Sequence, residues 1–150
     1  MEDLFITLAH ATNDVEEIKD LLLRSELPFN DISGHLENFL VAKSDNKIIG
    51  TVGLEIYGKS GLLRSLAVSE SFRNKEVGKK LYEAIIKFAD ENYIKEIYLL
   101  TTTADEYFKR LGFHNINRNE VPESIKNTTE FSSLCPSTSV CMFKELKNGG

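Results

Sequence analysis

GLLRSLAVSESFRNKEVGKKLYEA, residues Gly61–Ala84, is the stretch that decides the predicted fold. Its apolar run Leu62–Val68 predicts a buried strand, which ends at the polar segment Ser69–Lys75. Over Val77–Ala89, apolar residues recur three and four positions apart, as they do on one face of a helix. The stretch therefore predicts a strand, a short basic turn and a helix.

The turn and the helix start also carry groups that suit an anion. The first N–H groups of a helix lack intrahelical partners and carry a partial positive charge. The basic residues around this start are Arg73, Lys75, Lys79 and Lys80. Gly78 lets a ligand approach the backbone closely, so the segment predicts a phosphate site. The plainer alternative is a set of solvated surface lysines.

Composition predicts one ordinary soluble domain. The chain has 150 residues, of which 41% are hydrophobic and 27% charged, and its formal net charge is -5. This size and balance fit one folded core, and the acidic charge argues against nucleic-acid binding. No apolar run reaches the ~20 residues that span a bilayer, and the N-terminus lacks the basic start of a secretory signal. We therefore expect a cytoplasmic protein that does not bind membranes.

The two cysteines, Cys135 and Cys141, form neither a disulfide framework nor a common zinc spacing. Reduced thiols, one or both of them buried, are the interpretation that we favour. The alternative is a thiol pair that binds a soft metal or metalloid.

Hydrophobic periodicity along the rest of the chain predicts further strands and helices. The predicted strands are Leu4–Leu8, Phe39–Lys43, Lys47–Tyr57, Leu62–Val68, Ile94–Leu100, one that begins at Phe113, and Val140–Phe143. The predicted helices are one over Val15–Leu23 ended by Pro28, a long one that ends near Asn92, a short one over Ala104–Leu111, and a helical turn at Val121–Ile125. Tight turns make the second to fourth strands an antiparallel meander. The long helix connects the fourth strand to the fifth as a crossover, which implies that these two strands are parallel.

Two features of these elements have local consequences. Thr12-Asn13-Asp14 offers oxygens that could cap the first helix. Gly50 and Gly53 interrupt the third strand, where they predict a bulge or a close contact with a neighbour.

Three motifs together resemble those of the GCN5-related N-acetyltransferases. They are Leu63-Arg64-Ser65-Leu66-Ala67-Val68, the turn Arg73-x-x-Glu76-x-Gly78, and Ala104-x-x-Tyr107-Phe108-x-x-Leu111-Gly112-Phe113. The resemblance covers nearly the whole chain and implies an α/β (α+β) fold, with a mixed central sheet of about six to seven strands and helices on both faces. It implies one domain over residues 1–146, and a frayed tail at residues 147–150. The implied activity is acetyl transfer to a small amine, by direct attack in a ternary complex.

The resemblance implies acetyl-coenzyme A as the cofactor. In that family the strand before the turn splays from its neighbour at a bulge, and its backbone pairs with the pantetheine arm. The matching residues here are Leu66, Ala67 and Val68. The turn wraps the pyrophosphate with backbone N–H groups, and its positions are Arg73, Asn74, Lys75, Glu76, Val77, Gly78 and Lys79. Phe108, on the short helix, is also expected beside the cofactor.

One departure from the family pattern is Glu76, which stands where glycine is preferred. A carboxylate there would oppose the pyrophosphate unless it pointed away, and a side chain disfavours left-handed backbone. We expect Glu76 to face solvent in the first turn of the helix, with cofactor binding kept.

A second departure concerns the general acid. Many family members place a tyrosine four residues before the glycine of the GF pair, where it reprotonates the leaving thiolate. Phe108 holds that position here, and Tyr107 lies one residue earlier, which turns its side chain by roughly 100° on a helix. Either Tyr107 reaches the sulfur from another angle, or water or substrate supplies the proton. The alternative role for Tyr107 is packing.

Two charged residues on the meander are candidates for handling the acceptor. Glu55 could remove a proton from the amine, although a solvent-facing strand residue is the favoured alternative. Arg64 could hold a substrate carboxylate as a two-pronged donor, and a surface ion pair is its alternative. The histidines, His10, His35 and His114, are unconvincing as bases.

The tail resembles a narrower group, the acetyltransferases associated with arsenic-resistance operons. The matching segments are Leu99–Thr103, Glu120–Pro122, Glu130–Pro136 and Val140–Met142. This implies an amino-acid-like or arsenic-containing toxin as the acceptor, and the family analogy implies a homodimer. The alternatives are a non-catalytic coenzyme A-binding sensor or interaction domain, and a metalloid-binding protein that uses Cys135 and Cys141.

Overall fold

A computed structural model describes residues 4–9, 14–73, 76–134 and 139–146. Its strands are β1 (Leu4–Leu8), β2 (Phe39–Ser44), β3 (Lys47–Tyr57), β4 (Ser60–Val68), β5 (Glu96–Thr101), β6 (His114–Asn115) and β7 (Val140–Glu145). Its α-helices are α1 (Val15–Arg24), α2 (Val77–Glu91), α3 (Asp105–Arg110) and α4 (Glu123–Lys126). Every predicted element is therefore present, with small differences at the ends.

The strands form one seven-stranded mixed sheet in the order β1-β2-β3-β4-β5-β7-β6. Antiparallel pairing joins β2 to β3, as the meander predicted, and it also joins β1 to β2. The crossover through α2 makes β4 and β5 parallel over Ser60–Leu62, as predicted. The last strand, β7, lies between β5 and β6 and is antiparallel to both. Within the described ranges, no helix is long and apolar enough to cross a membrane.

Two compact units divide this domain. The first contains Met1–Glu55 and Arg64–Phe88, and the second contains Ile56–Leu63 and Ala89–Gly150. The core of the second unit is built from Leu62, Tyr98, Val121, Ile125, Phe131 and Cys141. The core of the first unit is built from Ile18, Leu21, Leu22, Ile32, Leu36, Phe39, Val41, Ile48 and Ala67. The helical spacing of Ile18, Leu21 and Leu22 explains why α1 packs here with one face.

The ends of α1 differ from the sequence prediction. Asp14 precedes the helix, but its side chain makes no capping hydrogen bond, and its Oδ1 lies 3.4 Å from Lys43 Nζ instead. Thr12 and Asn13 lie outside the described residues. The helix ends at Arg24, and Glu26 adopts a left-handed φ of 58° two positions before Pro28. The helix therefore ends before Pro28, and the proline is not what ends it.

The predicted close contacts at the β3 glycines are present. A Cβ on Gly53 would clash with Phe39 Cε1, because the Phe39 ring packs directly over that backbone. A Cβ on Gly50 would lie 2.8 Å from Leu81 Cδ1 and 3.3 Å from Val77 Cγ1, so α2 packs closely on β3. The two glycines thus set how near Phe39 and the start of α2 come to the sheet.

We predict that Gly53→Ala lowers the free energy of unfolding by about 1–3 kcal/mol, because the fully buried Phe39 ring must shift to accept the new methyl group. Gly34→Ala is the matched control, since a Cβ on Gly34 meets nothing within 4 Å. Chemical denaturation of both variants measures the difference. Equal stabilities would contradict this account of the packing.

Candidate active site

The strand β4 contains a backbone irregularity near its end. Ser65 has a φ of 60°, a left-handed conformation that is unusual for a non-glycine residue inside a strand and typical of a bulge. β4 pairs with β5 over Ser60–Leu62 and continues to Val68. The Ala67 side chain packs in the first-unit core. An irregularity therefore lies immediately before the residues that the resemblance assigns to the pantetheine arm.

The segment after β4 turns the chain into α2. It contains a single 3-10 turn, Glu70–Phe72, and Arg73, whose Nε–H donates to the carbonyl oxygen of Val68 at 3.1 Å. Asn74 and Lys75 lie outside the described residues. The side chains of Lys79 and Lys80 are exposed, and α2 has no acidic residue in its first turn. This helix start is electrostatically suited to an anion.

Glu76 adopts the left-handed backbone that the sequence analysis considered unfavourable, with a φ of 61°. Its carbonyl oxygen accepts a hydrogen bond from Lys80 N–H at 3.1 Å, so Glu76 lies directly before the helix instead of in its first turn. Its side chain is exposed, as expected. This conformation costs a non-glycine residue about 1–2 kcal/mol. Glu76 therefore has the left-handed backbone that a glycine would adopt easily, although it carries a side chain.

A cavity of about 380 Å³ lies in the first unit, beside the segment that follows β4. Its lining residues are Leu21, Arg24, Ser25, Glu26, Val68, Ser69, Glu70 and Arg73. The end of α1 and the end of β4 thus form its two walls. Arginine and glutamate side chains occur on both walls, so the lining is polar and mixed in charge.

A buried arginine, Arg64 on β4, is the centre of an ion cluster in the first unit. Its side chain is 0% exposed, and its Nη1 lies 2.6 Å from Asp31 Oδ2 and 2.7 Å from Glu55 Oε2. Its Nη2 donates to Asp31 Oδ1 at 2.7 Å, so Asp31 binds the guanidinium with both oxygens. Its Nε donates to the Ser65 hydroxyl at 3.1 Å. The Phe39 ring centroid lies 6.0 Å from the guanidinium carbon.

Two predicted alternatives, a solvent-facing Glu55 and a surface ion pair for Arg64, are wrong. Glu55 is buried with 2% exposure, and the ion pairs of Arg64 are buried. The reason is that Glu55 and Arg64 lie on neighbouring strands of the sheet, where each neutralises the other. The proposed roles of Glu55 as base and Arg64 as carboxylate receptor stay predictions.

Two further residues, Asp31 and His35, belong to this cluster and were not predicted from the sequence as part of the site. His35 Nε2 lies 3.8 Å from Asp31 Oδ2 and 3.7 Å from Glu55 Oε2. Asp31 and His35 are four residues apart in the connector between α1 and β2, where the sequence indicates at most a short helix. Short 3-10 turns at Ile32–Gly34 and Leu36–Asn38 bring both side chains to the cluster. The sequence feature that could have indicated them is an aspartate and a histidine four residues apart.

The cluster contains the donor types of a metal site, but a guanidinium already serves as its cation. Oxygen and nitrogen atoms of Asp31, His35 and Glu55 lie within 4.8 Å of one another. Both carboxylates are bonded to Arg64 Nη1. Burial raises the pKa of Asp31, but the hydrogen bond and charge of Arg64, with a smaller contribution from His35, outweigh it and leave the pKa below the ordinary 3.8. Asp31 is therefore held as a carboxylate.

The short helix α3 and its aromatic residues lie in the second unit. Thr101 Oγ1 accepts a hydrogen bond from Ala104 N–H at 3.0 Å just before the helix, and Gly112 ends it with a φ of 100°. Phe108 is buried, and its ring centroid lies 5.6 Å from that of Phe113 and 5.3 Å from that of Tyr107. Tyr107 is half-buried. The roles predicted for Tyr107 and Phe108 stay predictions.

Comparison with known proteins now decides the family. A family model described as an acetyltransferase (GNAT) domain matches residues 35–115. An uncharacterized N-acetyltransferase of Chlorobaculum tepidum, CT2212, is 33% identical over 113 residues, which are 74% of this chain and 70% of that protein. The chain belongs to the GNAT acetyltransferase family. It is accordingly an N-acetyltransferase, and acetyl-coenzyme A is its cosubstrate.

Other relatives are longer or more distant. The amino-acid acetyltransferase of Neisseria meningitidis is 27% identical over 119 residues, which are 78% of this chain but only 27% of that protein. N-acetylglutamate synthase of Neisseria gonorrhoeae, solved with coenzyme A and N-acetyl-glutamate, has a TM-score of 0.83 at 22% identity and is matched over 35% of its chain. A GNAT-family acetyltransferase of Staphylococcus aureus has a TM-score of 0.80 at 22% identity, and the match covers 97% of this chain and 100% of that one. These structural similarities show the GNAT fold.

Within this GNAT domain, Cys141 is a buried free cysteine in the second-unit core. Burial raises the pKa of its thiol to about 11, against the opposing effect of the Arg118 charge. The thiol therefore stays protonated near neutral pH and is a poor soft-metal ligand. Cys135 lies outside the described residues.

We predict that Glu76→Gln tightens coenzyme A binding roughly two- to fivefold at low salt, because it removes a negative charge at the start of α2. Glu76→Gly removes the same charge and also the left-handed strain, so it separates the charge effect from the backbone effect. Titration calorimetry with coenzyme A measures all variants. Glu83→Gln, which removes an exposed charge further along α2, is the control. Unchanged affinity in Glu76→Gln would contradict the assignment of the pyrophosphate to this turn.

Proposed function

We propose that this GNAT domain acetylates the amine of a small, amino-acid-like molecule by direct attack in a ternary complex. The observation that carries the proposal is the ion cluster of Asp31, Glu55 and Arg64, because buried charges of both signs match an acceptor that carries charges of both signs. The placement of Glu55 on β3 and of Arg64 on β4 supports a site near the strand that the family uses for the thioester. The names of the amino-acid acetyltransferase relatives support the same acceptor class.

The reaction needs a neutral amine held against the thioester. The nitrogen bonds to the carbonyl carbon, the carbon–sulfur bond breaks, the nitrogen loses a proton, and the thiolate gains one. Holding both reactants in place supplies much of the acceleration. We assign the pantetheine arm to the backbone of Leu66, Ala67 and Val68, whose N–H groups would polarise the carbonyl.

The remaining cofactor contacts are assigned to the turn and to α3. The proposed pyrophosphate positions are Arg73, Asn74, Lys75, Glu76, Val77, Gly78 and Lys79, and Phe108 is proposed to lie beside the cofactor. The left-handed Glu76 supports this fit, because it reproduces the backbone that a glycine would supply. In the reaction we assign Glu55 as the base, directly or through water, and Tyr107 as the acid.

An arsenic-containing amino-acid analogue remains our proposal for a narrower acceptor. It rests on the sequence of the tail, and none of the relatives described above is named for arsenic. The buried, protonated thiol of Cys141 gives no support to the metalloid-binding alternative. By analogy with the family, we also propose that the protein is a homodimer, and we propose that it is located in the cytoplasm.

The function is tested by measuring thiol release from acetyl-coenzyme A across an acceptor panel. The panel contains the protein L-amino acids, simple amines and an arsenic-containing amino-acid analogue. We expect release that depends on both enzyme and acceptor, with N-acetylated product. Saturable binding of coenzyme A without release for any acceptor would contradict the proposal and favour the sensor alternative.

We predict that Tyr107→Phe lowers kcat about 100-fold with little change in the KM for acetyl-coenzyme A, because the thiolate loses its proton donor. Tyr93→Phe is the matched control, since Tyr93 is 78% exposed. Steady-state kinetics with the best acceptor of the panel measures both. An unchanged kcat in Tyr107→Phe would assign Tyr107 to packing.

A further inference from the structure

The guanidinium of Arg64 has little capacity left for an additional partner. Its Nε–H, both Nη1 hydrogens and one Nη2 hydrogen are used by the bonds to Ser65, Asp31 and Glu55. A substrate carboxylate can bind both Nη atoms of Arg64 only if one of the carboxylates that already bind there leaves. The proposed function therefore requires an exchange of partners at this arginine.

Asp31 is the carboxylate placed to leave. It binds both Nη atoms with both of its oxygens, which is the geometry in which arginine receives a free carboxylate. Its side chain is 14% exposed and lies in a connector, whereas the Glu55 side chain is 2% exposed and lies inside strand β3. Solvent thus reaches Asp31, and a strand fixes Glu55.

We propose that Asp31 occupies the position of the acceptor carboxylate on Arg64 in the free enzyme, and that a zwitterionic acceptor exchanges with it. The acceptor carboxylate then binds Arg64, and the released Asp31 holds the acceptor ammonium before it is deprotonated. This inference rests on the proposed function and makes Asp31 an acceptor-binding residue. The acceptor class that it selects is an amino acid with free amino and carboxyl groups.

Charge balance explains why only a zwitterion fits. Before the exchange Arg64 pairs with Asp31, and after it each of those two groups pairs with the opposite charge of the acceptor. An amine without a carboxylate leaves the Arg64–Asp31 pair closed. A carboxylic acid without an amine separates that pair, and Asp31 then loses its two charged hydrogen bonds to Arg64 and keeps only the more distant His35, 3.8 Å away in the free enzyme, as a cation. Weakening the pairing of a partly buried charge is costly, so the acid binds less well, and the amine gains no contact with Arg64.

The first test compares matched acceptors with the wild-type enzyme. For the best amino acid of the panel, the comparison uses its α-carboxamide and its decarboxylated amine. We expect kcat/KM to fall about 100-fold or more for both, because neither opens the Arg64–Asp31 pair. Equal or better use of either compound would overturn the inference and show an acceptor without a carboxylate. No thiol release with any compound would instead contradict the proposed function itself.

The second test uses Asp31→Asn and a readout that needs no turnover. The probe is the des-amino analogue of the same amino acid, which has the carboxylate and lacks the amine. Titration calorimetry is expected to show roughly tenfold tighter binding of this probe in Asp31→Asn, because the competing charge is gone. In Asp31→Asn, the KM for the amino acid itself should rise relative to the Kd of the des-amino probe. The reason is that the acceptor ammonium has lost Asp31 as its partner.

Glu123→Gln is the control for removing one negative charge, because Glu123 forms an exposed pair with Lys126 in α4. It should change neither binding constant. Equal binding of the des-amino probe by Asp31→Asn and wild type would overturn the exchange. If Asp31→Asn does not fold, the comparison of matched acceptors in the wild type decides the question alone.

Discussion

A fully buried guanidinium needs a hydrogen-bond acceptor for each donor, and this requirement organises the first unit around Arg64. Removing one partner from such a buried pair typically costs about 3–5 kcal/mol, so the groups that surround it are constrained together. Asp31 and Glu55 neutralise the charge, and the Ser65 hydroxyl accepts from Nε. Phe39 lies beneath the group. The connector that supplies Asp31 is thereby tied to the strand that leads to the turn.

The packing around Phe39 links this cluster to the sheet. Phe39 and Gly53 are directly opposite each other in the pairing of β2 with β3, and the ring packs over the glycine. On the same strand, Gly50 lets α2 approach through Leu81. Because Gly53 and Gly50 have no side chains, Phe39 can pack beside Arg64, and α2 can pack close to β3. The start of α2 is the part that we assign to the pyrophosphate.

Elements with strong periodicity could be predicted from the sequence, and the connector could not. The apolar run of Lys47–Tyr57 and the helical pattern of Val77–Ala89 indicate burial, which is a local property of the chain. The placement of Asp31 beside Arg64 depends on contacts between residues 33 positions apart, and no local pattern encodes them. The insertion of β7 between β5 and β6 is likewise a property of long-range pairing.

Glu76 shows a different limit of sequence reasoning. Its residue type favours a right-handed first turn, yet Glu76 adopts a left-handed backbone directly before α2. Tertiary structure overrides local preference there, at a cost that the rest of the domain supports. Ser65 is a second case on the same stretch. The stretch Gly61–Ala84 therefore decides the fold through its periodicity, and its two left-handed residues lie beside or within the segments that we propose to bind the cofactor.

The most direct measurement is a crystal structure of the enzyme with coenzyme A and the amino acid that has the highest kcat/KM in the panel. The account predicts that the acceptor carboxylate binds both Nη atoms of Arg64 and that Asp31 contacts the acceptor nitrogen. An acceptor bound while Asp31 still holds both Nη atoms of Arg64 would contradict it.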